Sequence, residues 1–281
     1  MYPVLVEIGG LKLHSYGFFL VVGFFLSTWL SCLEARRRGL DPNLILDMAM
    51  PLLLVSLVFC RIVYFVVHPD QWAGWGEFFK IWNGGLSVHG GFLGVLLVFS
   101  YFAWRRRVAM AALTDIIWPS VFLGYAIGRI GGLMNGCCYG AVCNLPWAIR
   151  FPDENNRAIL TPPSHPAQLY STLMALAIFA FIWKNRANPK FNQFRGQLTL
   201  LVVGFYAVER FVMEIFRTGA TAPMAFSWLT LAQLVSVIAL FIVGAVWIWR
   251  AKIAKNSGGN SDSSNPDSGV SGKPQTHVSA S

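Results

Sequence analysis

Seven stretches of mainly apolar residues recur along this chain of 281 residues, at about 16–33, 48–67, 86–104, 116–136, 167–183, 198–216 and 228–249. Crossing a bilayer takes on the order of 20 such residues, and inside the hydrocarbon every backbone N–H and C=O must find its partner within the helix. The repetition therefore predicts an all-α polytopic membrane protein of about seven transmembrane helices. Composition agrees, because 55% of the residues are hydrophobic and 12% charged, whereas about a quarter of a soluble domain is charged. Several stretches are interrupted by Gly and polar residues, which suits a packed bundle better than separate anchors. Met1–Gly10 contains no basic run, so no cleavable signal peptide is expected.

The basic residues give an orientation. Arg36, Arg37, Arg38, then Arg105, Arg106, Arg107, then Lys184, Arg186, Lys190, Arg195, and finally Arg250, Lys252, Lys255 and Lys273 fall on one side of the predicted spans. Lys12, Lys80, Arg150, Arg157 and Arg217 fall on the other. The positive-inside rule then puts the N-terminus outside and the C-terminus in the cytoplasm. It also accounts for the net charge of +9: the cations are topological anchors, and no nucleic-acid partner is expected. Residues 1–250 read as one membrane domain and 251–281 as a disordered cytoplasmic tail, since 256–281 are almost all Ser, Gly, Asn, Asp and Pro and cannot bury enough apolar area to offset ordering. Residues 70–85, rich in Trp and Phe with scattered charge, predict a short helix in the outer interface. No internal repeat suggests the inverted symmetry of a secondary transporter.

Ionisable residues inside apolar stretches are costly and mark sites or partners. His89 lies in the first turn or two of the third stretch, Arg129 a turn or two before the end of the fourth, and Arg210 near the end of the sixth. With alternating span direction all three fall near the outer face. Tyr206, Arg210, Glu214 and Arg217 follow at i, i+4, i+8 and i+11, one polar stripe on an apolar helix. Arg210 and Glu214 have the spacing of an intrahelical pair, Arg61 fits structural glue as well as it fits a site, and a single histidine is commonly a satisfied core residue. The shared depth of several ionisable groups favours a site. Cys137, Cys138 and Cys143 fall in an external loop, where a disulfide from Cys143 to one of the pair is compatible with an oxidising compartment. The CCxxxxC spacing has no nearby His or carboxylate at zinc spacing, so no metal is expected.

Four ordered motifs carry a resemblance. They are Gly84–Gly94 with its SxHGGxxG pattern; Gly128-Arg129-x-Gly131 followed by Asn135-Gly136 and Gly140; His165-Pro166-Ala167-Gln168-Leu169-Tyr170; and Tyr206-x-x-x-Arg210-x-x-x-Glu214-x-x-Arg217. Together, over about residues 16–250, they resemble the bacterial phosphatidylglycerol:prolipoprotein diacylglyceryl transferases, a family that implies seven spans with the N-terminus outside. Three positions depart from the family pattern: Gly132 stands where Asn is common, Cys137 where Glu is, and Ser171 where Glu often follows the tyrosine.

The resemblance implies a reaction in the outer leaflet of the bacterial cytoplasmic (inner) membrane. The diacylglyceryl group of phosphatidylglycerol passes to the lipobox cysteine thiol of a preprolipoprotein signal peptide, forming a thioether and releasing glycerol phosphate. The acceptor supplies the nucleophile but must lose its proton, and imidazole titrates near neutral pH, which makes His89 the candidate base. Arg129 and Arg210 suit the departing phosphate, because guanidinium binds it in bidentate fashion. Tyr206 and Glu214 are expected to orient Arg210 and Asn135 and Gln168 to bind the headgroup, with Gly140, His165 and Arg61 completing the substrate-binding set. No metal or organic cofactor is implied. Two alternatives stand beside this: a lipid transporter, which would carry polar groups on to the inner face, and a phospholipid-binding paralogue of altered specificity or without transferase activity.

Overall fold

Each of the apolar stretches lies on a helix, as a chain without water must when it closes its backbone hydrogen bonds locally. The computed structural model describes residues 1–9, 11–72, 74–80, 85–153, 158–217, 224–226 and 229–259. In chain order the elements are β1 (Val4–Ile8), β2 (Leu11–His14), α1 (Ser15–Arg37), α2 (Asn43–Val67), α3 (Trp75–Phe79), α4 (Val88–Arg105), α5 (Met110–Asn135), α6 (Ala167–Asn185), α7 (Gln197–Ile215), β3 (Met224–Phe226), β4 (Leu229–Thr230) and α8 (Leu231–Gly259). Six of the helices, α1, α2, α4, α5, α6 and α8, are long and apolar enough to cross a membrane. The sixth predicted stretch, α7, is a 19-residue helix that is not among them; it carries Glu209, Arg210 and Glu214.

The molecule is mainly helical, and two short antiparallel ribbons accompany the bundle. β1 pairs with β2 so that Glu7 faces Lys12, and β3 pairs with β4. Neither is long enough to register in a hydropathy profile. Within the predicted interfacial helix of 70–85, the structure has a 3₁₀ turn at Pro69–Gln71 and the five-residue α3, and residues 73 and 81–84 lie outside the described residues. Gly74, at φ 117° before α3, breaks the helix that the aromatic content suggested. The rings of Phe65, Trp72, Trp75 and Phe78 pack edge to face or stacked in one cluster there. At the other end α8 continues to Gly259 because Ala251, Lys252, Ala254 and Lys255 are all good helix formers. The expected tail falls, from residue 260 on, outside the described residues.

Helix α5 is the axis of the bundle. Leu113 joins a core cluster with α2 and α4, Ile116 one with α1 and α2, and Phe122 and Ala126 one with α6 and α7. Its most apolar window is 39% buried within the protein, against 11% for those of α2 and α8, which leaves the latter two as peripheral, lipid-facing helices. Close approach comes from small residues, since lipid gives no hydrophobic drive for helix association. A Cβ at Gly23 of α1 would lie 2.9 Å from the carbonyl oxygen of Gly124 in α5, and one at Gly94 of α4 would lie 2.6 Å from the Cα of Ser56 in α2. Ser31 and Ser120 add a hydroxyl contact of 2.7 Å between α1 and α5.

Asp115 decides how α7 sits on α5. Its buried carboxylate accepts hydrogen bonds from the backbone N–H of Gly196 (2.7 Å) and of Thr199 (2.8 Å), capping the first turn of α7 from a neighbouring helix. The two helices run in the same direction from this tie, and at their far ends a Cβ at Gly140 would lie 2.4 Å from the carbonyl oxygen of Phe216.

Candidate active site

The tie at Asp115 sets the depth of the two arginines. Arg129 lies fourteen residues beyond Asp115, and Arg210 fourteen beyond Gly196, so on parallel helices both sit about 21 Å along at 1.5 Å per residue. The tyrosines one turn earlier, Tyr125 and Tyr206, confirm the register with their rings in edge contact at 6.0 Å. A single end of the bundle therefore presents both guanidinium groups.

Each arginine is held differently. Arg210 Nη1 lies 2.5 Å from Glu214 Oε2, a charge contact along the helix between a partly exposed side chain and one that is 2% exposed. Arg129 Nη2 instead donates to the hydroxyl of Tyr125 at 2.5 Å, with the guanidinium 4.8 Å from that ring's centre. Tyr125 donates onward to Glu209 Oε1 at 3.0 Å, and Ser171 donates to the same oxygen. Three helices, α5, α6 and α7, meet in this network.

The loop after α5 closes over the same end. Asn135 is the last residue of α5, and Gly136, at φ 77°, turns the chain in the left-handed conformation that ends many helices. Gly140 N–H donates to the carbonyl of His165 at 2.9 Å, and a Cβ there would also strike the His165 side chain at 2.8 Å, so only glycine fits. The His165 ring packs at 5.4 Å from that of Phe216 and faces the Tyr170 hydroxyl at 3.4 Å. Gln168, 1% exposed, donates from Nε2 to the Cys137 carbonyl at 2.5 Å, while its Oε1 is buried with no hydrogen-bond partner among the described residues. No disulfide joins any of the five cysteines in this structure, so the Cys143 bridge that the loop would allow is not formed. The Cys137 thiol beside it and partial burial push the Cys138 thiol above its ordinary pKa, against the pull of Arg217 and Arg129. Two of the departures from the family pattern meet here, since Cys137 Sγ lies 4.0 Å from where a Gly132 Cβ would be.

Two expected residues sit on other helices, His89 on α4 and Arg61 on α2. His89 lies in the first turn of α4, exposed, and makes no hydrogen bond, ion pair or ring contact among the described residues. Arg61, 4% exposed, donates to the carbonyls of Phe78 (3.1 Å), Glu77 (2.5 Å), Lys80 (3.3 Å) and Gly85 (2.9 Å). It fastens the segment between α2 and α4. Tyr125, Glu209 and Asp115 are site residues beyond those that the sequence motifs mark. Two signals were present: Tyr-x-x-x-Arg recurs within the fourth and sixth apolar stretches, at Tyr125–Arg129 and Tyr206–Arg210, and Glu209 is a charge within an apolar stretch.

The family model for prolipoprotein diacylglyceryl transferase matches residues 3–250. The chain belongs to the prolipoprotein diacylglyceryl transferase family. It is 33% identical over 258 residues to the phosphatidylglycerol–prolipoprotein diacylglyceryl transferase of Synechococcus elongatus, covering 89% of this chain and 88% of that one. The enzymes of that name from Chromohalobacter salexigens and Pseudomonas entomophila are each 34% identical, with 89% of this chain and 92% and 93% of theirs covered. The matched range takes in α7 as well as the more apolar helices.

Proposed function

We infer that this protein transfers the diacylglyceryl group of phosphatidylglycerol to the lipobox cysteine thiol of a preprolipoprotein signal peptide. The observation that carries this reading is the level pairing of Arg129 on α5 and Arg210 on α7 at one end of the bundle. The acceptor sulfur attacks the glycerol carbon next to the phosphate; the carbon–oxygen bond breaks, its electron pair stays on the phosphate oxygen, and glycerol phosphate leaves. Two guanidinium groups oppose the charge that develops on that phosphate, and guanidinium holds such charge without a proton of its own to lose. Glu214 and Tyr206 orient Arg210, Asn135 and Gln168 serve the headgroup, and Gly140 with His165 shapes the loop above it. His89, in the first turn of α4, is our candidate for the base that takes the thiol proton, and Arg61 stays in the substrate-binding set through the segment it fastens.

In this reading α7 is the seventh span, the N-terminus is outside and the C-terminus cytoplasmic, residues 1–250 form the membrane domain, and 251–281 form the cytoplasmic tail. The site then faces the outer leaflet of the bacterial cytoplasmic membrane, where lipobox peptides emerge. The reaction needs no cofactor, because donor and acceptor bring both the leaving group and the nucleophile. The test is purified protein in phosphatidylglycerol vesicles with a synthetic lipobox peptide. Mass spectrometry should find the peptide heavier by one diacylglyceryl group on its cysteine. A protein that binds the lipid and leaves the peptide unmodified would instead be a non-catalytic relative.

A further inference from the structure

Glu209 is 0% exposed on α7 and plays no part in the chemistry above. A carboxylate in such a place is costly unless paired, and it touches no cation directly among the described contacts. Its Oε1 accepts from Tyr125 at 3.0 Å and from Ser171, and Tyr125 in turn accepts from Arg129 at 2.5 Å. The proton order follows from the groups themselves. Guanidinium can only donate, so the Tyr125 oxygen accepts from Arg129 and its single proton points on to Glu209. Arg129 and Glu209 are thus a charge pair with a tyrosine hydroxyl inserted between them, whereas Arg210 touches Glu214 directly at 2.5 Å.

The insertion has a chemical consequence. A carboxylate placed directly on Arg129 would occupy the fork of donors that a phosphate needs. Behind Tyr125 the negative charge still balances the half-buried guanidinium, yet among the described residues Arg129 Nε is left buried with no hydrogen-bond partner, as is Glu209 Oε2.

We propose that Glu209 is a positioning residue for Arg129: acting through Tyr125, and itself fixed by Ser171, it sets the guanidinium's orientation and resting counter-charge without taking up Nε, which is kept for the donor lipid's phosphate. The inference rests on the reading that Arg129 binds that phosphate.

The experiment compares Glu209→Gln, Tyr125→Phe and the double variant with the wild-type protein in two measurements: transfer to a lipobox peptide from phosphatidylglycerol vesicles, and retention of phosphatidylglycerol over phosphatidylcholine from mixed micelles by native mass spectrometry. Each single variant should lose about tenfold to a hundredfold in kcat/KM, the usual worth of a hydrogen bond to a charged group. Most of the loss should be in kcat, because the phosphate gains charge as the bond breaks. The double variant should be no worse than the poorer single, since both act along one chain, and Glu209→Gln should add nothing in an Arg129→Lys background. Full activity and lipid preference in a folded Glu209→Gln protein would overturn the proposal, as would losses that multiply in the double. Should Glu209→Gln fail to fold, Tyr125→Phe, which removes one hydroxyl, still decides. A wild-type protein that retains the lipid but transfers nothing sinks the transferase reading alone, and the retention ratios then judge Glu209.

Discussion

Arg210 meets its carboxylate directly and Arg129 through a hydroxyl, but both are forks aimed at one end of the bundle. Lysine keeps the charge of such a residue and loses the fork. Arg129→Lys and Arg210→Lys should each insert and fold, yet lower transfer by about a hundredfold, the scale set by removing one donor that stabilises developing charge. Turnover assays on detergent-purified variants check this, and near-normal rates in both would make the arginines structural. For His89, replacement by Gln should cost about a hundredfold to ten-thousandfold if it removes the thiol proton. That deficit should shrink as pH rises towards a thiol pKa of about 8.5, because more acceptor then arrives as thiolate. A deficit equal on both sides of that pH, with lipid binding weakened, would place His89 against the lipid instead. Cys138 gives a pH-linked outcome of its own. Its pKa is raised by Cys137 and burial, so less of it is thiolate at neutral pH, and iodoacetamide should modify it more slowly than a peptide cysteine, as followed by peptide mass mapping.

At the scale of elements, the site depends on one cap and a few close crossings. Asp115 accepts from two backbone N–H groups at the start of α7, those of Gly196 and Thr199. Asp115→Ala should destabilise the protein by about 1–3 kcal/mol, the cost of losing a cap and leaving buried donors unmatched. It should also lower activity more than stability, because α7 can then slip and carry Arg210 out of level with Arg129. Thermal unfolding in detergent, set beside turnover, separates the two effects. At the crossing of α2 and α4, Gly94→Leu places a side chain where even a Cβ would be 2.6 Å from Ser56 Cα. The helices must part, at a cost of about 1–3 kcal/mol, and the segment that Arg61 fastens between them should become more open to protease.

For the whole molecule, orientation is the property on which the common depth of the site has its biological meaning. In a variant whose five cysteines are replaced, a cysteine at the exposed position Asn144, in the loop over the site, should react with a membrane-impermeant reagent added to intact cells. One at the exposed Asn192, between α6 and α7, should react only after the membrane is opened. The reverse pattern would place the site on the cytoplasmic face.

The sequence by itself determined what depends on neighbours along the chain. Stretch length and composition located the seven long helices, with ends up to ten residues off as for α8, since a helix in hydrocarbon satisfies its backbone internally. The four motifs marked the family, and spacing alone proposed the Arg210–Glu214 contact, which is made one turn apart. Tertiary structure decided which helix faces meet. No periodicity announces that Glu209 and Tyr125, 84 residues apart, share a proton, that Gln168 reaches the Cys137 carbonyl, or that Asp115 caps a helix beginning near residue 197. The same holds for Arg61, which sequence could not assign between glue and site, and whose donors the fold commits to four carbonyls between α2 and α4. Each is a hydrogen bond between separate segments of the chain, and such bonds form only where packing has already brought a buried donor and acceptor within about 3 Å.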